Sequence, residues 1–243
     1  MLHSRSLWSP LVNFAAPVLS GSSRRGLSKA AMTYEYLRAA IVELRCQPGS
    51  RVDKAAICRE LGVSRQPLAE AVARLAEERL VDVEPQRGTY VARIRLADVV
   101  EANFVRQSLE VATVQAIAPR MDEAVLSRLA GILDAQAAAA RVDDSETFYG
   151  LDVRFHLALF DVLAMRRVAE VVESSRAQLE RIRRLLLPGP GRLFRTVDEH
   201  MAVYRALAAR DSRAAGDAMQ AHIGVVMTEL RELSTRRPEL FET

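Results

Sequence analysis

The chain has 243 residues, 49% hydrophobic and only 5% aromatic, with the apolar mass mostly Ala, Leu and Val. That is enough to bury a core, and it favours helices packed on helices over a β-rich fold. The net charge of +3 is unevenly spread. Residues 1–32 carry four basic groups and no acid, residues 33–95 eleven basic and nine acidic, and residues 96–243 nineteen basic and twenty-two acidic. The basic excess is N-terminal, where contact with a polyanion is expected.

Residues 1–30 read as a disordered extension, with Met32 a plausible true start. The run Leu11 to Leu19 is interrupted by Asn13 and Pro17 and is too short to span a bilayer. The basic pair Arg24-Arg25 follows it rather than preceding it, which makes a poor secretory signal. No transmembrane helix is expected anywhere. Cys46 and Cys58 fall among apolar neighbours in helical segments and read as small, buried or half-buried thiols. They imply no disulfide framework, which fits a reducing cytoplasm.

Residues 31–95 read as a DNA-binding domain. Tyr36, Leu37, Ala40, Ile41 and Leu44 are spaced as one helix face, which Pro48-Gly49 ends. Asp53 caps a second short helix with Ala56, Ile57 and Leu61 inward, and Gly62 stands where a helix closes in the left-handed conformation. Ser64 is predicted to cap a third helix with Pro67 in its first turn and Leu68, Val72 and Leu75 inward. Two short helices joined through Leu61-Gly62-Val63-Ser64 make a helix-turn-helix. Leu80–Val83 and Thr89–Ala92 then read as two strands joined by Pro85-Gln86-Arg87-Gly88, a hairpin wing with a positive tip.

The order of these motifs, from Pro48-Gly49 through Leu61-Gly62-Val63-Ser64-Arg65 and Pro67 to Leu80-Val81 and Arg87-Gly88-Thr89-Tyr90-Val91, resembles the winged helix of the GntR family. The resemblance implies that Ser64, Arg65 and Gln66 meet double-stranded DNA at the start of the third helix. It also implies that the wing around Arg87 and Gly88 approaches the minor groove. The physics agrees: a helix N-terminus attracts phosphate, Arg65 can read guanine bidentately, and Gly88 permits close backbone approach. One departure is Ala69, on the same face four residues after Arg65, where the family usually carries a basic residue. Its absence removes a contact of roughly 1–3 kcal/mol if that contact is to a base.

Residues 96–237 read as an antiparallel α-helical bundle, so the whole chain is expected to be mainly α. Helices are predicted over roughly 98–118, 122–140, 145–164, 166–187, 192–209 and 211–234, with short breaks that force antiparallel neighbours. Asp152 and His156 are four residues apart and share a helix face. His200 and His222 each lie eleven residues from Asp211. At the rise of an α-helix both sit about 16 Å from that turn, level with each other across a hairpin. One carboxylate and three imidazoles converging in a bundle suit one divalent first-row ion per subunit, zinc or nickel first among them. Arg106 interrupts a stripe of Val99, Ala102, Leu109 and Thr113, and a buried arginine needs an anion. Two partners fit: a bound carboxylate, or Glu110 one turn away. Arg183 and Arg184 are weaker anion candidates that a solvated helix face explains equally well.

This half resembles the FCD ligand-binding domain of the FadR subgroup, in its shorter six-helix form. Asp152-x-x-x-His156, Glu199-His200 and His222 stand where that subgroup's metal ligands stand. Arg106 resembles its effector-pairing arginine. The Asn often found after the Asp/His helix is replaced by Ala164-Met165-Arg166. Together these features predict a homodimeric regulator, with no enzymatic activity, binding a palindromic operator under control of a small carboxylate. Two alternatives stay open. A dedicated metal sensor would use the ion itself as signal. A metal-dependent hydrolase fused to a DNA-binding module would need a general base, for which Glu199 is the one candidate.

Overall fold

The computed structural model describes residues 27–186 and 191–242. Residues 1–26, and with them most of the predicted extension, lie outside the described residues, as do three of the four residues in the predicted break Pro188-Gly189-Pro190-Gly191. The chain divides into two compact units between Arg93 and Ile94.

The first unit orders three helices before a hairpin: α1 Lys29–Val42, α2 Lys54–Leu61, α3 Arg65–Glu77, β1 Val81–Glu84 and β2 Gly88–Val91. Helix α1 begins earlier than the apolar spacing indicates. The Ser28 side chain accepts a hydrogen bond from Ala31 N and so caps a turn that precedes the first apolar residue. Residues 28–30 therefore belong to the fold rather than to an extension, and Met32 lies inside α1. Asp53 caps α2 through Ala55 N and Ala56 N, and Gly62 ends it with φ +63°. The inward faces of α1, α2 and α3 meet through Leu37, Ile41, Ile57, Leu68, Val72 and Leu75, all buried. The strands pair antiparallel with Val81 opposite Val91 and Glu84 opposite Gly88. Backbone bonds from Gly49 N to Val91 O (2.7 Å) and from Val52 N to Thr89 O (2.8 Å) lay the α1–α2 connection along the other side of β2. The wing is thereby tied to the helix-turn-helix by main-chain bonds.

The second unit is six helices: α4 Leu96–Ile117, α5 Glu123–Arg141, α6 Ser145–Val162, α7 Arg166–Leu186, α8 Arg192–Ala208 and α9 Ser212–Arg236. Three of them start on an aspartate cap, Asp122, Asp144 and Asp211, each accepting from a backbone N–H three residues on. Asp143, Ala164 and Arg210 take the left-handed conformation at the breaks, which lets short connections reverse the chain. Helix α4 packs on α7 and α9, α5 on α6 and α8, and α8 on α9. The unit runs past the predicted boundary at residue 237. Ile94 and Phe241 form a parallel bridge, and Leu240 and Phe241 bury with Ile94, Val99 and Leu230. Phe148, Leu129, Leu151, Phe155, Val203 and Met219 are part of the main apolar core, which surrounds a polar centre.

Candidate metal centre and nucleic-acid interface

Three helices bring the histidines of the centre together. His156 comes from α6, His200 from α8 and His222 from α9, all buried. The hairpin spacing of His200 and His222 has the predicted result, with their Nε2 atoms 3.3 Å apart. The Nε2 atoms of His222 and His156 are 3.2 Å apart. The ligating atoms of all three residues lie within 4.8 Å of one another, so the triad could hold a metal ion. Phe155 stacks on His200 with ring centroids 4.3 Å apart and fixes its plane.

Each Nδ1 faces an oxygen. His200 Nδ1 is 2.8 Å from Gln136 Oε1 on α5, and His222 Nδ1 is 2.8 Å from Glu199 Oε2. His156 Nδ1 lies 2.5 Å from Glu110 Oε2, an ion-pair distance at an angle that makes no hydrogen bond. At His200 and His222 these acceptors hold the ring proton on Nδ1 and leave the Nε2 lone pair pointing inward. Burial keeps the rings neutral. It drives His156 and His200 well below the usual imidazole range and His222 down to about 3, with the Arg106 charge adding at His156 and His222 and the second ring of the pair adding at His200.

Neutral imidazoles whose lone pairs meet at 3.2–3.3 Å repel unless a cation stands among them. A tetrahedral ion with bonds of about 2.0–2.1 Å sets its ligands roughly 3.3 Å apart, which is the separation seen from His222 to each of the other two rings. The donor set and its spacing fit a divalent first-row ion.

Two buried guanidiniums border the triad, Arg106 against His156 and Arg183 against Asp152. Arg106 Nη2 lies 2.7 Å from His156 Nε2, while its Nε donates to Glu110 Oε1 at 2.5 Å. The partner one turn away is thus the one observed for Arg106, but the same side chain also faces the triad. Burial lowers the Arg106 pKa, and Glu110 opposes the shift. Asp152 is fully buried, and one of its oxygens, Oδ1, is 3.5 Å from His200 Nε2. Both of its oxygens are clamped by Arg183, one of them at 2.5 Å. Burial works against the Asp152 charge, yet the Arg183 guanidinium outweighs it and holds the carboxyl well below its ordinary range. Arg183 is therefore buried against Asp152 rather than on a solvated face, whereas Arg184 pairs with Glu146 at the surface.

Gln136 had no sequence signal: it lies 64 positions from its partner His200, in an alanine-rich stretch. Glu110 was legible only as a partner of Arg106, though it also faces His156.

In the first unit, Ser64, Arg65, Gln66 and Ala69 are all exposed along the start of α3. Ser64 occupies the N-cap position, but its side chain accepts no backbone N–H, contrary to the predicted cap. Arg65 has no ion-pair partner among the described residues. Gln66 Nε2 donates to Glu70 Oε1 at 3.3 Å. On the wing, Arg87 is exposed and pairs with Glu84 at 3.0 Å. Gly88 has φ +136°, a conformation that excludes other residues, and a Cβ there would stand 3.1 Å from Arg51 Nε. Arg51 and Lys54, both exposed, add positive charge beside the wing that the motif reading had not singled out.

Comparison with known proteins agrees with both halves. The family model of bacterial regulatory proteins of the gntR family matches residues 29–91, and the FCD domain model matches residues 101–225. An HTH-type transcriptional regulator in an unstable DNA locus of Streptomyces ambofaciens is 32% identical over 86% of this chain and 88% of its own length. The HTH-type transcriptional repressor RspR of Escherichia coli is 28% identical over 86% of this chain and 91% of its own. A crystal structure of a GntR transcriptional regulator from Rhodococcus superposes with a TM-score of 0.72 at 27% identity, covering 85% of this chain and 99% of that one. Among the described residues no helix is long and apolar enough to cross a membrane. A gntR-type helix-turn-helix with a wing, followed by a six-helix FCD bundle around a histidine triad, identifies the chain as a DNA-binding transcription regulator, not an enzyme, and it belongs to the GntR family, FadR subgroup.

Proposed function

We propose that this regulator binds a palindromic operator as a homodimer, and that a small carboxylate bound at the metal centre controls the binding. His156, His200 and His222, with Asp152, hold one divalent ion per subunit, zinc or nickel. Arg106 completes the site by pairing with the carboxylate. The observation that carries this reading is the convergence of three inward Nε2 lone pairs with the Arg106 guanidinium on one of them. When bound, the ion supplies a Lewis-acidic point for a carboxylate oxygen. The chain's own residues do the rest: Gln136 and Glu199 orient the His200 and His222 rings, and burial removes competing water. The carboxylate shifts the regulator between DNA-binding states only as far as its affinities for them differ.

The same centre could serve as a dedicated metal sensor. An arginine aimed at the ligand cluster favours an anion as co-ligand, because a cation sensor gains nothing from a guanidinium competing for its ligands. Gel-shift titration of an operator fragment, with and without chelator at fixed carboxylate and then with carboxylate varied at fixed metal, separates the two. Carboxylate-dependent affinity that disappears with chelator supports the proposal. A response to metal that no carboxylate alters would overturn it.

The dimer has a plausible seat on α4. Leu96, Val100 and Phe104 recur every four residues and stay 41%, 49% and 72% exposed, an apolar stripe along one face. Phe104→Arg is expected to shift the protein from dimer to monomer in sedimentation equilibrium and to weaken operator binding at least tenfold while the fold is kept. An unchanged dimer would place the two-fold contact elsewhere.

A further inference from the structure

Beside the histidine triad the helical unit holds a second polar layer, which meets the metal centre at Asp152. Tyr149 and Asp152 lie on one face of α6, and Arg176, Glu180 and Arg183 on one face of α7; all five are buried. The Arg183 guanidinium carbon stands 5.7 Å from the centre of the Tyr149 ring while its nitrogens hold Asp152. Arg176 Nε faces Glu180 at 3.8 Å and its Nη1 faces Glu173 at 3.3 Å. Two donors of this layer have no acceptor: the Tyr149 hydroxyl and Arg176 Nη2 are buried and make no hydrogen bond. A buried donor left without a partner is costly, so two of them in one layer, on residues close enough to interact electrostatically, point to an acceptor that would serve both. Burial, and after it the Glu180 charge, raises the Tyr149 pKa, so the hydroxyl keeps its proton and can donate it to a carboxylate oxygen.

Charge leads the same way. Arg106 with Glu110, Arg183 with Asp152 and Arg176 with Glu180 are three neutral buried pairs. Arg181, also buried, donates to Gln178, and Arg192 is held by Glu199 and Glu229 at the partly exposed rim. A divalent ion among three neutral imidazoles brings two further positive charges into this layer. One carboxylate answers one of them.

We infer that the effector is a small dicarboxylate, its first carboxylate at the metal and Arg106 and its second at the Tyr149 hydroxyl and Arg176 Nη2. The inference rests on the carboxylate reading of the metal centre and adds a second anion subsite to it. Tyr149 and Asp152 are three residues apart on one face of α6, about 4.5 Å of helix rise, so the second subsite falls within one helical turn of the first and suits a short aliphatic dicarboxylate.

The test is isothermal titration of the full chain, loaded with Zn²⁺, with succinate, glutarate, butyrate and acetate. Succinate or glutarate is expected to bind at least tenfold more tightly than butyrate. Tyr149→Phe and Arg176→Gln should each remove that advantage while leaving butyrate affinity within twofold and bound zinc unchanged. Tyr149→Phe deletes one hydroxyl and keeps the packed ring, so it stands if Arg176→Gln fails to fold. Butyrate binding as tightly as the dicarboxylates, or variants that weaken both classes equally, would overturn the second subsite and leave the carboxylate reading intact. Failure of every carboxylate to bind the zinc-loaded protein would overturn both.

Discussion

His200→Ala is expected to lower the affinity for a divalent ion by roughly 100-fold or more, because losing even an outer partner of a ligand costs about 10–100-fold and this change removes the ligand itself. His200 Nε2 lies against His222 Nε2 and within reach of Asp152, so the substitution takes away one of the three converging imidazoles. Gln136→Ala is the graded counterpart. It leaves all three rings but frees the His200 Nδ1 proton from its acceptor, and should cost about 10–100-fold. Thermal unfolding reads both, because a bound ion stabilises the folded state by mass action. At fixed metal a 100-fold loss of affinity removes up to about 2.7 kcal/mol of that stabilisation. Metal content by mass spectrometry after dialysis should rank wild type above Gln136→Ala above His200→Ala. DNA binding without effector should survive in both, since the contacts proposed for DNA belong to the other compact unit. Full metal occupancy in His200→Ala and in His222→Ala would show that the histidines only fill the core.

The parts of this site that were legible from sequence are those set by short-range helical geometry. The i,i+4 pair Asp152–His156 and the equal spacing of His200 and His222 about Asp211 need only the helix repeat and one turn to become spatial statements. The six helices could be read for the same reason: aspartate caps and left-handed breaks are local signals. What could not be read depends on which faces meet across the bundle. Gln136 reaches His200 from α5, and Arg183 reaches Asp152 from α7; neither residue announces a partner by spacing. Arg183 looked like a surface arginine because α7 is charged all along its length, yet α7 is buried on every side between Ala177 and Arg183. The converse failure is Ser64, whose type and position predicted a cap that its side chain does not make. An N-cap serine is a propensity, and a hydroxyl left off the helix end remains available to another partner.

That hydroxyl bears on the DNA contact. Arg65→Ala is expected to weaken operator binding by about 1–3 kcal/mol, roughly 5–150-fold, and to relax specificity at one base pair per half-site. Arg65 is the first residue of α3, exposed, and without an ion-pair partner among the described residues, so its guanidinium gives up no internal bond on meeting a guanine. The backbone N–H groups of the same helix end are not engaged by Ser64, and they can take a phosphate that sets the register in which Arg65 reads. Arg87 differs: it is already paired with Glu84, and Arg87→Ala should weaken binding evenly across sequences. Ala69 offers the gain-of-contact control. It is exposed on the face that carries Arg65, and Ala69→Arg should raise affinity while making the slope of log K against log salt steeper by about 0.9 if the new contact is to one phosphate. Fluorescence anisotropy on the operator and on single-base variants, at several salt concentrations, distinguishes these outcomes. Loss of affinity in Arg65→Ala that is the same for every base variant would make Arg65 a phosphate contact. Unchanged affinity would remove the start of α3 from the DNA interface.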